Sequence, residues 1–147
     1  MTTIYFAGPL FTLAEKNFNK ELASKITEKN NQIKIILPQE RAPELIKLEN
    51  GFRLVFEDCI NMINESDAIV AILDGSDADS GTCIELGYAY SKNIPIIGIR
   101  TDLRASEEEG LNLMISNICN VLIRDIESDL DAISEKVVEA IKKGTKA

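Results

Sequence analysis

The chain has 147 residues, 45% hydrophobic and 27% charged, with a formal net charge of −8. That length allows one domain with a real core, while the acidic balance excludes the basic footprint that polymeric nucleic acid needs. No apolar run approaches the roughly 20 residues of a membrane span, and the absence of histidine excludes Ser-His and Cys-His catalysis and His-ligated metals.

Met1-Thr2-Thr3-Ile4-Tyr5 has no basic stretch ahead of an apolar one, so no signal peptide and a cytoplasmic location are expected. Ile4 to Ala7 reads as a short strand stopped by Gly8-Pro9. Leu13, Phe18, Leu22 and Ile26 stripe a helix running to about Lys29. Ile33 to Leu37 is a second strand, closed by Pro38; Gln39 to Asn50 is polar and reads as loop with at most a helical turn. Phe52, Val55, Phe56, Cys59, Ile60 and Ile63 fall at offsets 0, 3, 4, 7, 8 and 11, a full amphipathic helix face. Asp67 to Leu73 is an unalternating aliphatic strand of the kind buried on both faces. Thr82 to about Lys92 is a helix, Pro95 to Ile99 a fourth strand, 101–110 a charged loop, and Leu111 to Ile115 a short apolar turn or helix. Asn120 to Ile123 is a fifth strand. Ile126, Leu130, Ile133, Val137 and Ile141 mark a last helix before a tail at 144–147. Cys59, Cys83 and Cys119, odd in number and widely spaced, read as small buried hydrophobes rather than a disulfide or zinc framework.

Strands alternating with helices predict a parallel sheet covered on both faces. With five strands this is a flavodoxin-like (Rossmann-type) three-layer α/β/α fold of order 2-1-3-4-5, expected as a single domain over 1–147. In such sheets ligands sit outside the carboxyl ends of the strands, at the switch point between the first and third.

Three sets of residues should meet there. The first strand delivers Tyr5, then Gly8-Pro9-Leu10-Phe11; the third delivers Asp74, Asp79 and Glu85; the segment after the fourth offers Asn112 and Met114. Glu85, just past a buried strand and in the first turns of a helix, is the candidate for chemistry. A tyrosine hydroxyl can orient it, an aromatic ring and a methionine can hold a flat nucleobase, and further carboxylates can bind hydroxyls or protonate a leaving group. That kit suits cleavage of an N-glycosidic bond through an oxocarbenium-like transition state and a covalent sugar intermediate. The residues leave other readings open: Asp74 as a turn residue beside Gly75, the acids as a Mg²⁺ site (though no GxxxxGKS/T loop is present), or a non-catalytic nucleoside-binding module.

Ile4-Tyr5-Phe6-Ala7-Gly8-Pro9-Leu10-Phe11, Asp67-Ala68-Ile69-Val70-Ala71, Asp79-Ser80-Gly81-Thr82-Cys83-Ile84-Glu85-Leu86-Gly87-Tyr88-Ala89 and Leu111-Asn112-Leu113-Met114 together resemble the nucleoside 2-deoxyribosyltransferase family. The resemblance implies transfer of 2-deoxyribose between nucleobases, or to water, without metal or organic cofactor. It implies Glu85 as nucleophile, Asp79 holding sugar hydroxyls and Tyr5 positioning Glu85. Gly8, Phe11, Asp74 and Gly81 then fall at the substrate. Asn112 and Met114 match a pair that reaches into a neighbouring subunit's pocket, implying a homo-oligomer with shared sites. One position departs from the pattern: where the family carries a base-side aspartate, this chain has Cys59, with Asp58 as neighbour and alternative. A sister branch hydrolyses 2′-deoxynucleoside 5′-monophosphates and tends to carry serine at the position of Asp79. Asp79 and the net charge would repel a phosphate dianion, which favours an unphosphorylated nucleoside.

Overall fold

Aliphatic runs without polar alternation become the middle of a sheet, because only burial on both faces accommodates them. The computed structural model describes residues 1–104 and 110–144. Five parallel strands, β1 (Thr2–Ala7), β2 (Ile33–Ile36), β3 (Ala68–Ile72), β4 (Ile96–Arg100) and β5 (Val121–Arg124), lie in the order β2-β1-β3-β4-β5. This is the expected flavodoxin-like order. Six helices connect and cover them: α1 (Leu13–Lys29), α2 (Pro38–Leu45), α3 (Gly51–Asn64), α4 (Ser80–Ser91), α5 (Leu113–Ile118) and α6 (Leu130–Gly144).

Alternate residues of each strand face opposite layers. Ile4, Phe6, Val70, Ile72, Ile97 and Ile99 point into a core completed by α1 and α6. Tyr5, Ala7, Ile69, Ala71 and Leu73 point the other way, against Met62 and Ile63 of α3 and Leu86 and Ala89 of α4. Gly98 is required by the close approach on that second side. A Cβ there would lie 2.8 Å from both Cys119 Sγ and Leu73 Cδ1.

Four expectations are corrected. The polar stretch after Pro38 is helix α2, not loop. Pro38 opens it, where a missing N–H costs nothing and the fixed φ is already helical. The last helix starts at Leu130 rather than Ile126, because Asp125 Oδ1 accepts from the N–H groups of Glu127 and Ser128 and closes a turn first. The apolar stripe of α3 is not fully inside, since Phe52 and Phe56 remain 82% and 57% exposed. The three cysteines are free thiols, each half-buried. The short helix after β4 runs Leu113–Ile118, started by Asn112 as its cap. Residues 105–109 of the charged loop and 145–147 of the tail lie outside the described residues.

Candidate active site

Pairing of β1 with β3 aligns Tyr5 with Ile69 and sends both strands' carboxyl ends to one edge. Tyr5 is fully buried beneath α3 and α4. Its hydroxyl donates to Glu85 Oε1 at 2.5 Å, across 80 residues of sequence. Glu85 projects from the second turn of α4 and is half-buried. Asp79 caps that helix: its Oδ2 accepts from the Thr82 N–H at 2.9 Å and the Thr82 hydroxyl at 3.2 Å.

The electrostatics follow from burial. Desolvation raises the Glu85 pKa to about 7, the hydrogen bond from Tyr5 opposes the rise, and the charge of Asp79 adds to it. Burial and the neighbouring Glu85 hold the Tyr5 hydroxyl far above its ordinary range, so it stays a donor. Cys59 joins the same group. Burial raises its pKa, and the neighbouring Tyr5 hydroxyl works against that rise. Cys59 packs against the layer that holds Tyr5, and the charge of Asp79 acts on Glu85. A carboxylate that ionises near neutrality, held by a neutral donor, can act as a nucleophile or exchange a proton at physiological pH.

The other sequence candidates are distributed around this group. Gly8 leaves β1 so close to β3 that a Cβ would sit 3.1 Å from Ile72 Cβ. Gly81 lies in the first turn of α4, where a Cβ would come within 3.1 Å of Asp79 Oδ2. Phe11 and Met114 are exposed, at 71% and 65%. Asn112 spends its side-chain oxygen on the Met114 N–H at 2.9 Å. Asp58 does not join the Tyr5–Glu85 pair. Arg41 of α2 binds both its oxygens, at 2.8 and 2.6 Å, at a groove of about 410 Å³ between β2 and α3. Among the described residues no group of three or more acidic, cysteine or histidine side chains is placed to hold a metal ion.

Asp74 is spent on structure. Its Oδ1 accepts from the N–H groups of Thr101 (2.6 Å) and Asp102 (3.0 Å), and its Oδ2 from the Thr101 hydroxyl (2.5 Å). In return, Asp102 accepts from the Gly75 N–H at 3.0 Å. The pattern reading missed Arg100, Thr101 and Asp102. The one available signal was a lone arginine abutting the apolar strand Ile96–Ile99.

The sequence profile of a family described as nucleoside 2-deoxyribosyltransferase matches residues 4–114. An uncharacterized protein of Ureaplasma parvum is 38% identical over an alignment of 92 positions that covers 58% of this chain and 57% of that protein. The match therefore spans little more than half the length of that curated relative. A conserved protein from Enterococcus faecalis, known from its crystal structure, superposes with a TM-score of 0.74 at 29% identity, over 97% of this chain and 98% of that one. A 2-deoxyribosyltransferase from Bacillus psychrosaccharolyticus superposes with a TM-score of 0.69 at 23% identity, over 90% of each chain.

Proposed function

This chain belongs to the nucleoside 2-deoxyribosyltransferase family, and on that premise we propose that it cleaves the N-glycosidic bond of unphosphorylated 2′-deoxyribonucleosides and passes the 2-deoxyribosyl group to another nucleobase or to water. The observation that carries the reading is the buried Tyr5 hydroxyl donating to Glu85 at 2.5 Å at the carboxyl edge of the sheet.

In the proposed mechanism, Glu85 attacks the anomeric carbon as a carboxylate. The C–N bond breaks, its electron pair leaves with the base, and the base takes up a proton. A ring nitrogen of the incoming base, or a water oxygen, then attacks the same carbon and releases Glu85. Tyr5 fixes the carboxylate's rotamer and, as a neutral donor, favours its ionised form. Asp79, coupled to Glu85, receives the sugar hydroxyls. Asp79 also argues against a phosphorylated sugar, because it would meet the phosphate charge without a cation. Asp58 is already neutralised by Arg41, which leaves base handling to groups other than Asp58.

The same reading includes a homo-oligomer with shared sites. Phe56 of α3, Ile84 of α4 and Met114 of α5 are apolar and exposed on the layer that carries Glu85. A second copy covering them would bring Asn112 and Met114 to the pocket of its neighbour.

The test is incubation of purified protein with 2′-deoxyinosine and free adenine, and separately with deoxynucleoside monophosphates. A new deoxynucleoside, absent with Glu85→Ala, is the expected result. Free base from the monophosphates alone would assign the chain to nucleotide hydrolysis. Ligand binding without turnover across a broad base panel would leave a binding module.

A further inference from the structure

At the end of β4 a guanidinium is buried where, among the described residues, no carboxylate pairs with it. Arg100 is 1% exposed. Its Nη1 donates to the carbonyls of Leu73 (2.6 Å) and Gly75 (3.2 Å), and its Nη2 to the carbonyl of Arg104 (3.1 Å). Its Nε is buried and has no hydrogen-bond partner among the described residues. Burying an arginine this way costs desolvation that carbonyl contacts only partly offset, and an apolar side chain of similar size would serve stability as well or better. The arrangement is therefore better explained by what it holds in place.

It holds two loops together. One runs from Leu73 to Asp79, between β3 and α4; the other follows β4 from Thr101. Asp74 takes three donors from the second loop, Asp102 takes the Gly75 N–H from the first, and Arg100 ties down the carbonyls of both. Gly75 makes the turn within the joint at φ +119°, where a Cβ would meet the Asp77 carbonyl oxygen at 2.8 Å. Four residues further on, the clasped loop ends in Asp79, the cap of the helix that presents Glu85.

We propose that the interlock of Arg100, Asp74, Thr101 and Asp102 is a positioning device for the reaction: it fixes the loop between β3 and α4 so that Asp79 receives the sugar hydroxyls in register with the Glu85 carboxylate. The inference rests on the roles proposed above for Asp79 and Glu85. None of the four residues needs to touch the substrate. They act through Asp79, and their effect should vanish when Asp79 has no carboxylate.

Thr101→Val tests this with little change in shape. It removes the hydroxyl donor to Asp74 and leaves the backbone donors; Thr101→Ser restores the hydroxyl. The variants are compared in the wild-type and Asp79→Ala backgrounds by nucleoside turnover, and by hydrogen exchange at the Thr82 amide that Asp79 caps. The expected result is a fall in kcat/KM of about tenfold for Thr101→Val, the scale of a sub-ångström misplacement, with Thr101→Ser within about twofold of wild type. The further loss in the Asp79→Ala background is expected to be negligible, because the two changes share one path. Thr82 exchange should quicken in Thr101→Val. An unchanged kcat/KM, an equal loss in both backgrounds, or unaltered Thr82 exchange would each overturn the proposal. If the wild-type protein turns over no nucleoside, the functional reading fails by itself, and the exchange experiment still decides whether the clasp controls the Asp79 cap.

Discussion

The two sides of the sheet are built from the same aliphatic strands yet are finished differently. Under α1 and α6 the core is dominated by apolar side chains, from Ile4 and Phe6 through Ile26 to Val137 and Ile141, and the polar side chains buried on those helices, Asn19 and Ser134, are each hydrogen-bonded to a backbone carbonyl. Its rim is closed by exposed ion pairs such as Lys29 with Asp131 and Glu135. Under α3, α4 and α5 the core contains a tyrosine hydroxyl bonded to a carboxylate, with a thiol packed against the same layer, and the helices outside them keep Phe52, Phe56 and Ile84 exposed. The first side stabilises by apolar burial, with the polar demand of Asn19 and Ser134 met by backbone carbonyls. The second bears the desolvation of Glu85 and leaves apolar side chains exposed. Stability and chemistry are thus separated by one layer of backbone, and a substitution on one side should be silent on the other.

The largest expected effect breaks the reactive side alone. Glu85→Gln should lower turnover by about 10⁴-fold or more, as loss of a nucleophile does. The fold should survive and in one respect improve. Native Glu85 holds its proton up to about pH 7, whereas the unfolded chain releases it near the ordinary value of 4.5. Between those values the native state binds more protons, so wild-type stability falls as pH rises through the window. Thermal melts at pH 8 should therefore find Glu85→Gln at least as stable as wild type. A clear loss there would contradict the burial argument.

Next in size is a change on the other side. Ile26→Ala empties a fully buried position and should cost about 3 kcal/mol in urea unfolding. The kcat of the folded fraction should stay within about twofold of wild type if the layers are independent. A large kcat change would abolish the distinction drawn above.

Tyr5→Phe sharpens the comparison, since it removes one hydroxyl from the reactive side and no packing. Turnover should fall by about ten- to a hundredfold, within the range of a lost charge-assisted hydrogen bond. Wild-type activity should rise with pH through a limb near 7, where Glu85 ionises. The limb of Tyr5→Phe should move to higher pH, because the bond that favours the ionised form is gone. A limb that stays in place would separate Tyr5 from the titration.

Phe56→Asp addresses the exposed apolar surface. Sedimentation should show a smaller species than wild type, with little change in melting temperature, if a second copy covers α3. The smallest effect belongs to the rim of the first side. Lys29→Ala should leave both melting temperature and turnover within error, because exposed pairs of this kind are worth little.

How much of this was legible depended on which forces were local. The sheet order could be read because hydrophobic runs and their intervening helices are local patterns, and few topologies satisfy them. The amphipathic stripe of α3 was visible too, but periodicity reports that a face is apolar, not what covers it, and so Phe52 and Phe56 were assigned inward. Helix α2 was hidden by its polar composition and by Pro38 and Pro43, which read as breaks although one of them starts the helix. Arg41 and its pair with Asp58 were lost with it. Asp74 reads more readily as a turn residue than as a ligand, and its partners Thr101 and Asp102 stay hidden because they are 27 and 28 positions away. Arg100 gave the least signal. A charged residue ending a strand usually marks solvent, and nothing local shows that three carbonyls converge on it.

The Tyr5–Glu85 bond also makes this molecule a reporter of its own folding. Its two ends belong to the first strand and to a helix that begins after the third, 80 positions on. Until β1 has docked beside β3 and α4 has closed over them, Glu85 is an ordinary exposed acid. Long-range parallel pairing of this kind forms late and slowly. Recovery of catalysis after dilution from denaturant should therefore lag the return of helical circular dichroism, and the lag measures the time the chain needs to close its central strands.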